Sequence, residues 1–153
     1  ISTVKLCGVT KSPITNTILM SLMGGYFGPR LRMAGADAII VTGVSKQPVY
    51  LLISNGEASL HPADHLWGKT TRETTNLLEA ELGLKNMQVA CIGQAGERMV
   101  LFASIMHGGD AMGRGGIGAV MGSKKLKAIV VIPPKDNKIS YHDKDAFLAN
   151  AKE

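Results

Sequence analysis

The sequence predicts an α+β fold, internally duplicated, in which strand and short-helix units carry mixed β-sheets. Two observations carry that expectation. Short β-branched runs interleave with short helical stretches, without the regular helices of about ten residues that join strands in a doubly wound sheet. One unit also occurs twice: a strand, a loop, Gly-Gly, a short helix, basic residues and a second strand.

Val4 to Val9 is an apolar run of strand length, and the polar stretch Thr10 to Asn16 with its Pro13 is a loop. Ile18 to Met23 is apolar and ends at Gly24-Gly25. Gly28 to Met33 reads as a short helix with Pro29 at its first position, where a missing N–H costs nothing. Ala38 to Thr42 and Val49 to Ile53 read as strands. Asn55-Gly56 suits a tight hairpin turn, which makes Ala58 to Leu60 the return strand. Thr70 to Leu82 is the clearest helix: Thr70 and Glu73 form a capping box, Leu77, Leu78 and Leu82 share a face, and Gly83 stops it. Met87 to Ile92 reads as a strand, Gly93 to Glu97 as a turn, Met99 to Met106 as strand-like and His107 to Gly118 as a glycine-rich loop. Ala119 to Lys125 is a short helix, Ala128 to Ile132 a strand closed by Pro133-Pro134, and Ser140 to Lys152 a terminal helix.

A length of 153 residues suits one domain, able to bury roughly 70% of its unfolded surface. Hydrophobic residues at 45% and charged residues at 19% give the balance of a soluble globular protein. No apolar run reaches the roughly 20 residues of a membrane span, and the opening ISTVKLCG lacks the pattern of a signal peptide. Aromatic residues are only 5%, which argues against a platform that stacks single-stranded nucleic acid. Cys7 and Cys91 lie in apolar runs and read as buried, reduced thiols; two such cysteines cannot by themselves hold zinc or an iron–sulfur cluster. Opening on isoleucine and ending in a helical stretch, the chain reads as a piece of a longer protein.

The repeat concentrates the chemistry. Its first copy runs through Gly24-Gly25, Arg30 and Arg32 to Ile39-Ile40-Val41; its second runs through Gly115-Gly116, Lys124, Lys125 and Lys127 to Ile129-Val130-Val131. The formal charge is +4 over residues 1–36, −3 over 37–97, +5 over 98–138 and −1 over the rest, so the positive charge gathers on the two copies. Backbone N–H groups at a glycine turn, with Lys and Arg beside them, hold phosphate. The plainer alternative is tight turns beside solvated basic faces; glycine, repeat and charge falling together favour the anion site. Gly113 to Gly118 fits G-x-G-x-x-G, but a loop precedes it and a short basic helix follows, so the dinucleotide fingerprint fails. His61, His65 and His107 lack metal-site spacing and read as surface or packing residues.

The segments GGYFGPRLRMAGADAIIVTGVSKQPVYLLI, HLWGKTTRETTNLLEAELG, GQAGERMVLFASIM and GRGGIGAVMGSKKLKAIVV, in that order, resemble the N-terminal domain of the tungsten-containing aldehyde ferredoxin oxidoreductases. The match spans about Thr10 to Ile132. The resemblance implies that residues 1–153 form a single, partial tungstopterin-binding domain of a longer oxidoreductase. It implies a base on which a tungsten bis-pterin cofactor sits, with magnesium bridging the pterin phosphates and a 4Fe-4S cluster held by later domains. Carried over by position, the cofactor-binding residues are Gly24 and Gly25 in the first copy, Gly113, Arg114, Gly115 and Gly116 in the second, with Lys5 and Leu22. Lys5 stands where relatives commonly have arginine, losing the bidentate fork, and Leu22 where many have asparagine. No catalytic residue and no direct metal ligand is assigned to this chain.

In the whole enzyme the resemblance implies oxidation of a small-molecule aldehyde to a carboxylic acid, with ferredoxin as electron acceptor, in a cytoplasmic protein that leaves room for a homodimer. The fragment alone is expected to be inactive. The same family includes the tungsten subunit of an aromatic acyl-CoA reductase, and the run Met20-Ser21-Leu22-Met23 departs from the commonest aldehyde-oxidising pattern. A non-catalytic phosphate- or anion-binding module is the remaining alternative.

Overall fold

The computed structural model describes residues 5–135 and 141–151. Val4, Ser140 and Lys152, which bound two of the expected elements, lie outside them. The fold is mixed α+β, as expected. Strands β1 (Leu6–Lys11) and β2 (Ile18–Met23) make an antiparallel ribbon that leads into helix α1 (Phe27–Met33). Strands β3 (Val49–Ser54) and β4 (Glu57–Pro62) form the hairpin set by Asn55 and Gly56, both at positive φ. Helix α2 (Thr71–Leu82) follows a single 3-10 turn, then β5 (Gln88–Cys91), the one-turn helix α3 (Gln94–Glu97), β6 (Ile105–His107), β7 (Asp110–Met112), α4 (Ile117–Ser123), β8 (Leu126–Ile132) and α5 (Lys144–Asn150).

Six strands form one mixed sheet in the order β4-β3-β8-β5-β6-β7, in which only β3 and β8 are parallel. Alternation along β8 sends Ala128 and Val130 to one face and Ile129 and Val131 to the other. The first face is closed by α2 through Leu78, with Leu66 beside it. The second carries α1, α4 and the β1–β2 ribbon, through Phe27, Leu31, Ile117, Met121 and Met23. Thr70 and Glu73 make both bonds of the capping box, and Gly83 ends α2 in the left-handed conformation.

Six readings are corrected. Ala38 to Thr42 forms no strand and pairs with no described strand. Only Ile105 and Met106 of the stretch Met99 to Met106 enter a strand; Met99 takes a positive φ that breaks the run. Gly93 to Glu97 winds into α3 rather than a simple turn, and His107 to Gly118 contains β7. Cys7 is exposed, since it points to the outer face of β1, whereas Cys91 is buried. Pro29 sits third in α1 rather than first.

A β-bulge places the extra residue Lys127 between the pairs Val49–Leu126 and Tyr50–Ala128. Its side chain is fully buried. The ammonium donates to the Lys69 carbonyl (2.9 Å) and to the carboxylate of Glu97. Glu97 in turn accepts from the Gly68 N–H through both oxygens, at 3.0 and 2.8 Å. Gly122 of α4 leaves no room for a Cβ against the Gly96 carbonyl, so α3 and α4 touch backbone to backbone. The ion pair fixes α3, α3 fixes α4, and α4 begins at the second Gly-Gly.

Candidate cofactor site

The structure builds the same local device twice: an antiparallel hairpin, a Gly-Gly, and a seven-residue helix. The first is β1–β2, Gly24-Gly25 and α1; the second is β6–β7, Gly115-Gly116 and α4. The copies diverge after the helix, where β8 follows the second and an unpaired segment follows the first.

The two devices interlock. A Cβ on Gly24 would lie 2.5 Å from a carboxylate oxygen of Asp110 on β7, and one on Gly25 would lie 2.7 Å from the other oxygen and 3.1 Å from the His107 ring. Reciprocally, a Cβ on Gly115 would collide with Leu19 of β2, and one on Gly116 with the Leu101 carbonyl and with Pro13 of the β1–β2 loop. Ser12, buried at the base of that loop, donates to the Gly115 carbonyl at 2.8 Å and accepts from the N–H groups of Ile14 and Thr15. Gly115 and Gly116 hold φ of 67° and 81°, a conformation costly for residues with a Cβ. Each hairpin therefore needs glycine in the other copy, and the two glycine pairs are held as one unit.

These turns leave donors free. The backbone N–H groups of Gly24, Gly25, Arg114, Gly115 and Gly116 have no acceptor among the described residues. Arg114, Lys5 and Lys11 are exposed and form no ion pair with the described residues. Register pairs Cys7 with Leu22, Val9 with Met20 and Lys11 with Ile18 on the outer face of the ribbon. That face is apolar and open: Val9 is 63%, Met20 66% and Ile18 86% exposed. Lys5 and Lys11 flank it in sequence. The arrangement offers an apolar strip, cations and unpartnered N–H donors, which fits a flat ligand bearing anionic groups.

Of the residues expected from sequence, Gly24, Gly25, Gly115 and Gly116 fall in the interlocked turns. Arg114 and Gly113 lie just before the second turn, and Leu22 lies on the ribbon's outer face. Sequence reading missed Ser12 and Asp110, neither of which stands in a recognisable motif. The Asp110 carboxylate accepts no hydrogen bond from a described side chain or loop N–H. His107 keeps a packing role, edge-on to Phe27 at 5.5 Å between centroids, with Nδ1 3.0 Å from the Val89 carbonyl. His61 stacks on Tyr50, and His65 pairs with Glu81.

The family model of the aldehyde ferredoxin oxidoreductase N-terminal domain matches residues 1–133. The chain belongs to this family. It is 48% identical over 146 residues to a tungsten-containing aldehyde ferredoxin oxidoreductase of Thermococcus kodakarensis, an alignment covering 95% of the chain and 24% of that protein. It is 38% identical to the WOR-like subunit of an aliphatic sulfonate oxidoreductase of Pyrococcus furiosus, over 80% of the chain and 22% of that protein. Among solved structures it resembles the active site complex BamBC of benzoyl coenzyme A reductase with 1,5-dienoyl-CoA, at a TM-score of 0.84 and 46% identity, over 86% of the chain and 20% of that chain. The chain thus spans about a quarter of the relatives it matches. No helix among the described residues is long and apolar enough to cross a membrane.

Proposed function

We propose that residues 1–153 are the base on which a tungsten bis-pterin cofactor sits in a longer, cytoplasmic oxidoreductase. The observation that carries this reading is the pair of interlocked Gly-Gly turns, which present unpartnered N–H groups as one unit beside an open apolar strip. The turn donors, Arg114 and Lys5 would hold the pterin phosphates, with Gly113 leaving Arg114 free to approach. The outer face of the ribbon, including Leu22, would support the ring. Magnesium would take oxygen ligands, and the Asp110 carboxylate beside Gly24-Gly25 is one group that would be able to supply them.

When bound, the tungsten–pterin group supplies the two-electron chemistry. The overall change is an aldehyde plus water giving a carboxylic acid, two protons and two electrons, the electrons leaving for ferredoxin. This chain's residues bind and orient; they move no proton in that change. A four-iron cluster needs four thiolates, and the chain has only Cys7 and Cys91, so the cluster belongs to other parts of the polypeptide. The 46% identity to a benzoyl coenzyme A reductase complex favours a second reading, a reductase acting on an aromatic acyl-CoA.

The test grafts residues 1–153 in place of the matching quarter of the Thermococcus kodakarensis relative and measures retained tungsten and extractable pterin. Arg114→Ala and Lys5→Ala should each lower retention by about tenfold or more, the worth of a charge-assisted phosphate contact. Unchanged retention in the double variant would overturn the reading. Assays with aldehydes against aromatic acyl-CoA esters then separate the two substrates.

A further inference from the structure

The second face of the sheet is unfinished. Between the ribbon and the segment 36–41 lies a groove of about 880 Å³, floored by Ala90, Leu126 and Ile129 and walled by α1 and α4. The groove is open to solvent yet lined mostly by apolar side chains, a contiguous apolar surface that marks a place where another element packs. Residues 5 to 10 line it without a gap. Side chains of a strand alternate, so an unbroken run means that an edge, rather than one face, borders the groove. Among the described residues β1 pairs only with β2, so that edge of β1 has no described partner.

The opposite wall is open in the same way. Residues 38–42 take up no regular secondary structure, and none of their backbone groups makes a hydrogen bond to the described backbone. Their sequence, Ala-Ile-Ile-Val-Thr, is strongly strand-forming, yet Ile40 is 88% exposed. One open strand edge and one unpaired segment of strand-forming sequence thus face the same apolar slot. Helix α5 reaches the slot through Tyr141 and Phe147 but buries none of its own residues, so it is no filler.

We infer that the slot receives a β-strand of the same polypeptide from outside residues 1–153, which pairs with β1 on one side and with 38–42 on the other. The ribbon and the loose segment then become one four-stranded sheet, completing the layer that covers β8 and β5. A strand supplied in cis is favoured because the matched relatives are about four times as long and an internal strand loses no freedom to association. Main-chain pairing gives the affinity, and the apolar floor selects alternate side chains. This inference is independent of the cofactor reading, since its test is made on cofactor-free protein.

The test is hydrogen exchange with mass spectrometry on the 153-residue chain and on the Thermococcus chimera that carries it. Amides of 38–42, and those on the open edge of β1, should exchange freely in the short chain and slow by about a hundredfold in the chimera. No slowing in the chimera overturns the inference. Protection already present in the short chain also overturns it: protection that rises with concentration makes a second copy the occupant, and protection lost in Tyr141→Ala/Phe147→Ala makes α5 the occupant. Ile40→Pro gives a second readout, because it removes an N–H that has no partner among the described residues. It should lower the Tm of the chimera and leave that of the short chain; equal effects on both would overturn the pairing.

Discussion

Two nearly identical tetrapeptides meet opposite fates in this molecule. Ala128-Ile129-Val130-Val131 is the middle of β8, paired on both sides, with Val130 and Val131 fully buried. Ala38-Ile39-Ile40-Val41 forms no strand, pairs with no described strand and is mostly exposed, although Ile39 touches the core. Each follows a hairpin, a Gly-Gly and a seven-residue helix. Local sequence therefore specifies the device, while strand formation at its exit depends on which strands stand alongside. β8 has β3 and β5; the segment 38–42 has none among the described residues. Strand propensity is a fitness for a pleated, packed surface, and only one copy has that surface.

The largest expected break in this comparison lies in what anchors β8. Lys127→Met leaves the Glu97 carboxylate buried without its cation, and should cost about 3–5 kcal/mol in urea unfolding. Adding Glu97→Gln should recover part of that loss, since the amide still accepts from Gly68 but carries no charge. A loss below about 1 kcal/mol in the single variant would remove the ion pair as the anchor of the second copy. In the first copy Arg32 and Asp37 pair in the open.

A smaller break reads the two tetrapeptides directly. Val130→Ala opens a cavity in a packed sheet and should destabilise by about 2 kcal/mol, as fully buried aliphatic truncations do. Ile40→Ala in the same chain should stay within about 0.5 kcal/mol, the range of exposed substitutions. Equal losses would show that the first tetrapeptide is packed after all.

The same contrast explains what could be read from the sequence. The α2 helix was legible because capping box, apolar face and glycine stop are all local. So were the Asn55-Gly56 hairpin and both Gly-Gly turns, whose chemistry is that of a few adjacent residues. Ala38 to Thr42 failed because partnership is non-local. Cys7 failed for a related reason: both faces of the ribbon are apolar, and the pattern of alternation could not say which one stays open. Glu97 and Lys127 lie 30 residues apart and meet only through a bulge, so no spacing rule reveals them. At the candidate site the glycines were visible, whereas Ser12 and Asp110 became visible only when the two copies were seen to interlock.

The finest distinction between the halves is chemical. Cys7 lies on the open face of the first, and Cys91 is buried on the closed face of the sheet. Burial pushes the Cys91 thiol up to about 11, against the opposing pull of the Lys127 ammonium and the hydroxyl of Thr75. Iodoacetamide at pH 8 should therefore alkylate Cys7 and spare Cys91, since the thiolate is the nucleophile and access is required. Because folding raises this acid's pKa, its contribution is complete below pH 9 and is lost as pH rises from 9 to 11. Stability should fall across that window, and Cys91→Ala should flatten the fall; an unchanged slope would mean that the thiol ionises as readily in the fold as outside it. In Lys127→Met the opposing pull is gone, so the window should extend to higher pH. Labelling of Cys7, on the other half of the molecule, should not notice the change.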